Sequence, residues 1–299
     1  MIRAMFAMTM SFIAAAAPAG AQPPAATDVR IERIAPGVAI LFGRGGNVGL
    51  SHGEDGNVLI DDQYAPMSEP IAAAVRSIDA DPIRFVINTH WHGDHTGGNE
   101  HFGRSGTVIV AHDNVRRRMS MDQVVRGEAV PPSPAGALPI VTFSEDVSFH
   151  LNGDHVRVHH VPPAHTDGDA IVHWTRANVI HMGDLYFNGM LPFIDLDSGG
   201  SIDGVIAAVE EGLAIANDET VIVPGHGPLA RKSELAAYRD MLKEMRGRVA
   251  AAIQAGQTID QVKALRLADR LGRETDFISP DFFIETLFRS LTPSGPIMN

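Results

Sequence analysis

The chain reads as an α/β fold on three observations. Short apolar or alternating runs, bounded by turn residues, recur along its length. Helical patterns near 67–79, 112–126 and 201–216 fall between those runs, so strands and helices interleave rather than segregate. Ligand-type side chains follow several apolar runs directly, beside Gly or Pro. Open α/β sheets gather their sites at such strand ends because loops converge there.

Taken in order, the chain opens with a processing signal. Arg3 gives a short positive start, and Ala4 to Ala17 is an apolar run broken only by Thr9 and Ser11. The run is too short to span a bilayer. Ala19-Gly20-Ala21 supplies the small residues a signal peptidase reads, which places the cut before Gln22. Export is therefore expected, into the periplasm of a Gram-negative source or into the medium. No second stretch reaches spanning length.

Strands are predicted near 29–34, 37–43, 57–61, 83–88 and 106–111, and again near 146–151, 154–161, 170–174, 178–182 and 220–223. Residues 128–139 hold four prolines and no periodicity, so they read as a loop that crosses the surface or lies over a site. After Pro228 the character changes. Lys232 to Gln254 alternates charged and apolar residues at helical spacing, with a stripe of Leu235, Tyr238, Leu242, Met245 and Val249. Thr258-Ile259-Asp260-Gln261 fits a capping box, and Ser279-Pro280 suits the cap and first turn of a helix through Leu291. The expected divisions are a signal peptide over 1–21, a main domain over 22–230 and a helical extension over 231–299. The stripe is expected to pack against the main domain or a second subunit.

Composition narrows the classes. Apolar content of 44% with 20% charged residues fits a soluble globular protein. A net charge of −12 lacks the basic stripe a nucleic-acid surface needs, so no nucleic-acid partner is expected. Cysteine is absent, which removes any thiolate ligand or nucleophile and leaves nitrogen and oxygen donors alone. Oligomeric state is not legible.

The densest chemistry is His90-Trp91-His92-Gly93-Asp94-His95, directly after the strand-like Arg84-Phe85-Val86-Ile87-Asn88-Thr89. Imidazole nitrogen and carboxylate oxygen both suit a borderline-soft divalent cation such as zinc. On an extended backbone His90 and His92 point to one face, whereas the adjacent Asp94 and His95 diverge. One short loop could thus serve two metals. Three further candidates follow apolar runs: His165 in Pro162-Pro163-Ala164-His165-Thr166-Asp167-Gly168-Asp169, Asp184 after Val179-Ile180-His181-Met182-Gly183, and His226 in Val221-Ile222-Val223-Pro224-Gly225-His226-Gly227.

This set, in this order, resembles the metallo-β-lactamase superfamily of dinuclear metal hydrolases, over roughly residues 30 to 230. The resemblance implies an αββα sandwich, two sheets face to face with helices outside, the site at one edge, and the helical appendage added. It implies two Zn2+ per chain, with His90, His92 and His165 around the first, Asp94, His95 and His226 around the second, and Asp184 bridging. Two such cations share a water and lower its pKa to about 7, giving a hydroxide nucleophile at neutral pH. Asp94 would be both ligand and the catalytic group that orients this water. The expected reaction is hydrolysis of a small carbonyl substrate: lactam, lactone, ester or thioester.

Asp61, ending Val58-Leu59-Ile60, resembles the family's buried carboxylate that braces the ligand loop. Tyr186 is a candidate oxyanion donor or ordinary wall packing. Trp91 and Phe187 are candidates for an apolar substrate wall or for core packing. His52, His101, His112, His150, His155, His159, His160, His173 and His181 carry no motif and read as structural or exposed. Many lactamases have Cys or Ser where this chain has Asp184, and the Cys-bearing subclass has a basic residue where this chain has Phe187. The pattern therefore sits nearer the thioesterase and lactonase branches, although export would place the enzyme where β-lactams act. The alternatives are an iron-dependent oxidoreductase on the same fold, whose diiron members carry Glu at the position of His92, and a non-catalytic zinc-binding protein, which would not need Asp94.

Overall fold

The computed structural model describes residues 28–271 and 277–292. The expected signal peptide and its cleavage site lie outside the described residues. The first half runs β1 (Arg30–Ala35), β2 (Val38–Phe42), β3 (Val48–Ser51), β4 (Asn57–Ile60), α1 (Ser68–Ile78), β5 (Ile83–Ile87), α2 (Gly93–Thr96), α3 (Asn99–Arg104), β6 (Val108–His112), α4 (Asp113–Met119), β7 (Gln123–Val125), β8 (Glu128–Val130) and β9 (Val141–Phe143). The second runs β10 (Asp146–Leu151), β11 (Asp154–His160), β12 (Ala170–Trp174), β13 (Val179–His181), α5 (Ile202–Ile215), β14 (Val221–Val223), α6 (Lys232–Gln254), α7 (Ile259–Ala264) and α8 (Pro280–Leu291).

Among the described residues two main sheets form, in the orders β1-β2-β3-β4-β5-β6-β9 and β10-β11-β12-β13-β14, beside the two-stranded β7-β8. Pairing is parallel from β4 through β5 and β6 to β9 and between β13 and β14, and antiparallel elsewhere. Strand periodicity explains how the sheets stack. Side chains alternate faces, and Val38, Ile40, Val58, Ile60, Ile87 and Val110 join Val156, Val158, Val172, Val179 and Val223 in one buried cluster between the sheets. Their neighbours face outward. Ala39, Leu41, Leu59, Val86 and Ile109 pack under α1 and α3. Ile171, Ile180 and Ile222 pack under α5, α6 and α8. Strands buried on both faces read as continuous apolar runs, as these do. The αββα expectation holds.

Leu235, Tyr238, Leu242, Met245 and Val249 are buried in the same cluster as Val209 of α5 and Ile222 of β14, so the α6 stripe packs against α5 and the second sheet. The capping box at Thr258 and Gln261 and the Ser279 cap of α8 are both formed. No described helix is long and apolar enough to cross a membrane.

Three local expectations need correcting. The helix expected over 112–126 stops at Met119, and a hairpin follows it. Arg126 (φ 54°) and Gly127 (φ 83°) take the left-handed backbone that a two-residue hairpin turn demands, so Val124 and Val125 sit on a strand. The loop expected over 128–139 accordingly begins with β8. Strands β3 and β9 were not expected; each is three or four residues long, too short for a periodicity to show.

Candidate metal centre

Four chain segments meet at one edge of the sandwich. β5 ends at Ile87, and the next loop carries His90, His92, Asp94 and His95. That loop is braced from inside: Asn88 and Asn99 exchange side-chain hydrogen bonds, and Thr96 Oγ1 donates to the His92 carbonyl. β13 ends at His181, and Gly183 (φ 50°) turns the chain so that Asp184 enters the edge. β14 ends at Val223, three residues before His226. His165 precedes β12, and Asp169 fixes its loop by accepting from the His165 and Thr166 backbone N–H groups. The Ala170 N–H donates to the Thr89 carbonyl at 2.9 Å, joining the two sheets beside the centre.

The donors fall into two clusters, His90, His92, His165 and Asp184, and Asp94, His95, Asp184 and His226, each with its ligand-type atoms within 4.8 Å of one another. Asp184 belongs to both. Its Oδ2 lies 3.8 Å from His90 Nε2 and 3.6 Å from His165 Nε2, while its Oδ1 lies 3.1 Å from His95 Nε2 and 3.4 Å from His226 Nε2. Asp94 Oδ2 is 3.1 Å from His226 Nε2. Glycines make room: a Cβ at Gly225 would sit 2.0 Å from Asp184 Oδ1, and one at Gly46 would sit 2.1 Å from the His95 ring.

The outer nitrogens decide what the inner ones can do. His95 Nδ1 donates to Asp61 Oδ2 at 2.8 Å, His165 Nδ1 to the Phe193 carbonyl at 2.8 Å, and His92 Nε2 to Asp195 Oδ2 at 2.9 Å. Each ring proton is thereby assigned outward. His165 Nε2 and His92 Nδ1, 2.9 Å apart, then confront each other with lone pairs. His90 Nε2 and Asp184 Oδ1 are buried with no hydrogen-bond partner among the described residues. An unsatisfied buried polar group costs ~1–3 kcal/mol. Inward lone pairs from imidazoles and carboxylates are what a pair of divalent cations would satisfy, so the residues fit a dinuclear centre.

The proton affinities agree. Burial pulls His95 down, but the carboxylates of Asp184, Asp94 and Asp61 outweigh it and hold the ring well above its usual value. His226 is likewise opposed by burial yet raised to about 9 by Asp184 and Asp94. Without cations, protons take their place on the carboxylate side. His165 is lowered to about 4 and His90 well below its usual value, in both cases chiefly by burial. Burial would raise Asp94, but His95 and His226 bring it down to about 2, so it stays ionised.

A cavity of about 450 Å³ opens over the centre, lined by His92, Asp94, Asp184 and His226 together with Arg44 and Tyr64 and a large apolar wall. All seven residues expected as metal ligands are brought together, and none of the nine motif-free histidines joins them. Asp61 is fully buried, bonded to His95 and accepting from the Thr89 N–H and Oγ1. Trp91 and Phe187 both line the cavity and are also buried. Tyr186 is the correction. It is 1% exposed, packs its ring against Tyr238 at 4.9 Å, and does not line the cavity. After the single helical turn at Gly183–Leu185 the backbone is extended at Tyr186 and Phe187 bridges to His226, so successive side chains diverge, Phe187 to the cavity and Tyr186 to the core. Tyr64 is the phenol that reaches it.

Sequence reasoning missed Asp195 and Asp169, which brace His92 and the His165 loop. An acid in a loop reads as a turn residue, and Asp195 does cap the turn at Ser198. Their only signal was position within the loops that carry or flank the donors.

With this geometry in hand, the comparisons with known proteins are consistent. The sequence pattern of the "Metallo-beta-lactamase superfamily" matches residues 41–253. A hydroxyacylglutathione hydrolase from Polaromonas sp. is 26% identical over 223 residues, covering 71% of this chain and 75% of that protein. One from Erythrobacter litoralis is 37% identical over 84 residues, 27% of this chain and 31% of that protein. Among solved structures, a metallo-beta-lactamase from Pontibacter korlensis superposes with a TM-score of 0.62 at 19% identity, over 72% of this chain and 99% of its own. A stereoselective inverting sec-alkylsulfatase from Pseudomonas sp. gives 0.68 at 16% identity, over 87% of this chain and 50% of its own. These structural likenesses bear on the fold, and the sequence match runs through the loops that bear His90, His165, Asp184 and His226. Fold, donor clusters and sequence pattern converge, and the chain belongs to the metallo-beta-lactamase superfamily of metal-dependent hydrolases.

Proposed function

We propose that the protein is a dinuclear zinc hydrolase of a small carbonyl substrate: an ester, thioester, lactone or lactam. The observation that carries this reading is the sharing of Asp184, one oxygen toward each donor cluster, at the floor of a cavity. His90, His92 and His165 would hold one cation, Asp94, His95 and His226 the other, and Asp184 both. Zinc suits three or four nitrogen and oxygen donors without thiolate. When bound, the cations supply Lewis acidity and bring a water's pKa to about 7.

The remaining roles belong to the protein. Asp94 lines the cavity and stays ionised, so it can orient the attacking water and accept its proton. Burial, together with Asp94 and Asp184, raises Tyr64, so its phenol keeps the proton it would donate to a developing oxyanion. Asp61 and Asp195 hold His95 and His92 in the tautomers a cation requires. The relative named hydroxyacylglutathione hydrolase supports a thioester as one member of the substrate class. Export is proposed as well, on the N-terminal residues alone; a mature protein beginning at Gln22 in a periplasmic fraction would support it.

Purified protein in metal-replete buffer should carry close to two zinc per chain. It should turn over at least one carbonyl member of a panel of lactone, thioester, ester and chromogenic cephalosporin. Asp94→Ala should lose at least about 100-fold in kcat, the usual size of a lost proton-transfer group, with its circular dichroism unchanged. Iron as the resident metal with oxygen consumption, turnover of an alkyl sulfate alone, or binding without turnover would each overturn the reading.

A further inference from the structure

The cavity has two unlike sides. Its floor is ionic, but Val125, Val130, Phe187, Met190, Phe193 and Phe277 make most of its wall. Val125 and Val130 come from β7 and β8, a two-stranded hairpin paired to neither main sheet. A lone hairpin is marginal by itself, so something must hold it over the site. Its tip does so. The Arg126 guanidinium lies 4.7 Å from the Phe277 ring centre and 5.0 Å from that of Phe282, on the segment entering α8. Arg126 forms no ion pair among the described residues. Phe277 is 62% exposed, so the rim keeps apolar surface in water. A clustered apolar rim beside a cavity marks a surface that something covers.

We propose that the hairpin is the specificity element of this site, held by Arg126, and that it selects substrates whose non-reacting arm is uncharged and apolar. The inference rests on the function proposed above and narrows it. A glutathione arm carries carboxylates and peptide groups, and burying these along Phe, Met and Val would strip their water without replacement. Among the described residues, Arg44 is the one Lys or Arg lining the cavity. An alkyl or aryl arm meets no such cost and gains from leaving water. Arg126 is a positioning residue: it acts through Phe277 and Phe282 and does not line the cavity.

The first test is binding, which does not depend on turnover. Zinc-loaded full-length protein is titrated calorimetrically with sodium butanoate, hexanoate and octanoate. Affinity should rise about two- to fourfold per added methylene, with a negative heat-capacity change. In Arg126→Ala the octanoate-to-butanoate affinity ratio should fall at least fivefold, and Arg126→Lys should restore part of it. A merely structural role would weaken both ligands alike and leave the ratio unmoved, as would a variant that unfolds in part. The second test is turnover of two ester ladders, one lengthening the acyl chain and one the alcohol, against a glutathione thioester. A rise in kcat/KM along either ladder, carried by KM, supports the proposal. Affinity flat with chain length, a ratio unchanged in folded Arg126→Ala, or preference for the glutathione thioester overturns it. Absence of turnover on every carbonyl substrate would overturn the function proposed above instead, and the binding series would still decide this one.

Discussion

At the residue scale, each imidazole is aimed by the partner behind it. Asp195 accepts from His92 Nε2 and also from Ser198 Oγ, whose oxygen accepts in turn from the Trp91 indole N–H. This chain of bonds turns His92 Nδ1 to the centre. Asp195→Ala frees the ring to rotate, so zinc affinity should fall about 10- to 100-fold. Competition against a chelating dye measures this, and unchanged affinity would show that Asp195 is only a turn residue. The seven donors were legible because few other roles require so many imidazoles and acids beside Gly and Pro at strand ends. Asp195 and Asp169 were not, because a single acid near Ser or Thr has a sufficient local use in capping a turn. Tyr186 could not be resolved between oxyanion donor and packing, because sequence proximity to Asp184 says nothing about which side of the chain faces the cavity; it packs.

At the element scale, β6 and β11 bring His112 and His160 together as stacked rings, 3.6 Å between centres and 9° between planes. They lie in different sheets. Burial lowers both, and in His112 the neighbouring His160 lowers it further. The unfolded rings take up protons near pH 6.5 and the folded rings only below that, so the unfolded state binds more protons as acid is added. The pair's stabilisation is therefore present above pH 6.5 and is lost as pH falls through the lowered values. Between pH 7.5 and 5.5 the melting temperature of the native protein should drop more than that of His160→Gln; parallel curves would refute the coupling. Elements were legible in proportion to their length. The long amphipathic α6 and the two-faced apolar strands showed their period, whereas Val124-Val125 fits either a helix or a strand and only the left-handed Arg126-Gly127 turn decides.

At the scale of the whole molecule, the extension after residue 230 shares one core with the second sheet. Phe283 and Leu287 of α8 are fully buried in the cluster that holds Met182 and Leu185, next to Asp184. Phe283→Ala should cost about 3–5 kcal/mol. Urea unfolding followed by far-ultraviolet dichroism and by loss of activity should still give one coincident transition. Two separated transitions would show that the helices fold as an independent unit. The α/β class was legible from interleaved patterns, but the face-to-face stacking was not, since strands buried on both sides do not say which face meets the other sheet; only the resemblance supplied it.

The clamp between Arg126 and α8 has a consequence for the order in which the protein is made. A ribosome that has released α6 has already delivered all seven donor residues, the latest being His226. The aromatic rings that secure the hairpin emerge some fifty residues later. During synthesis the donors and most of the wall residues are therefore delivered before the clamp that steadies the hairpin over them can form.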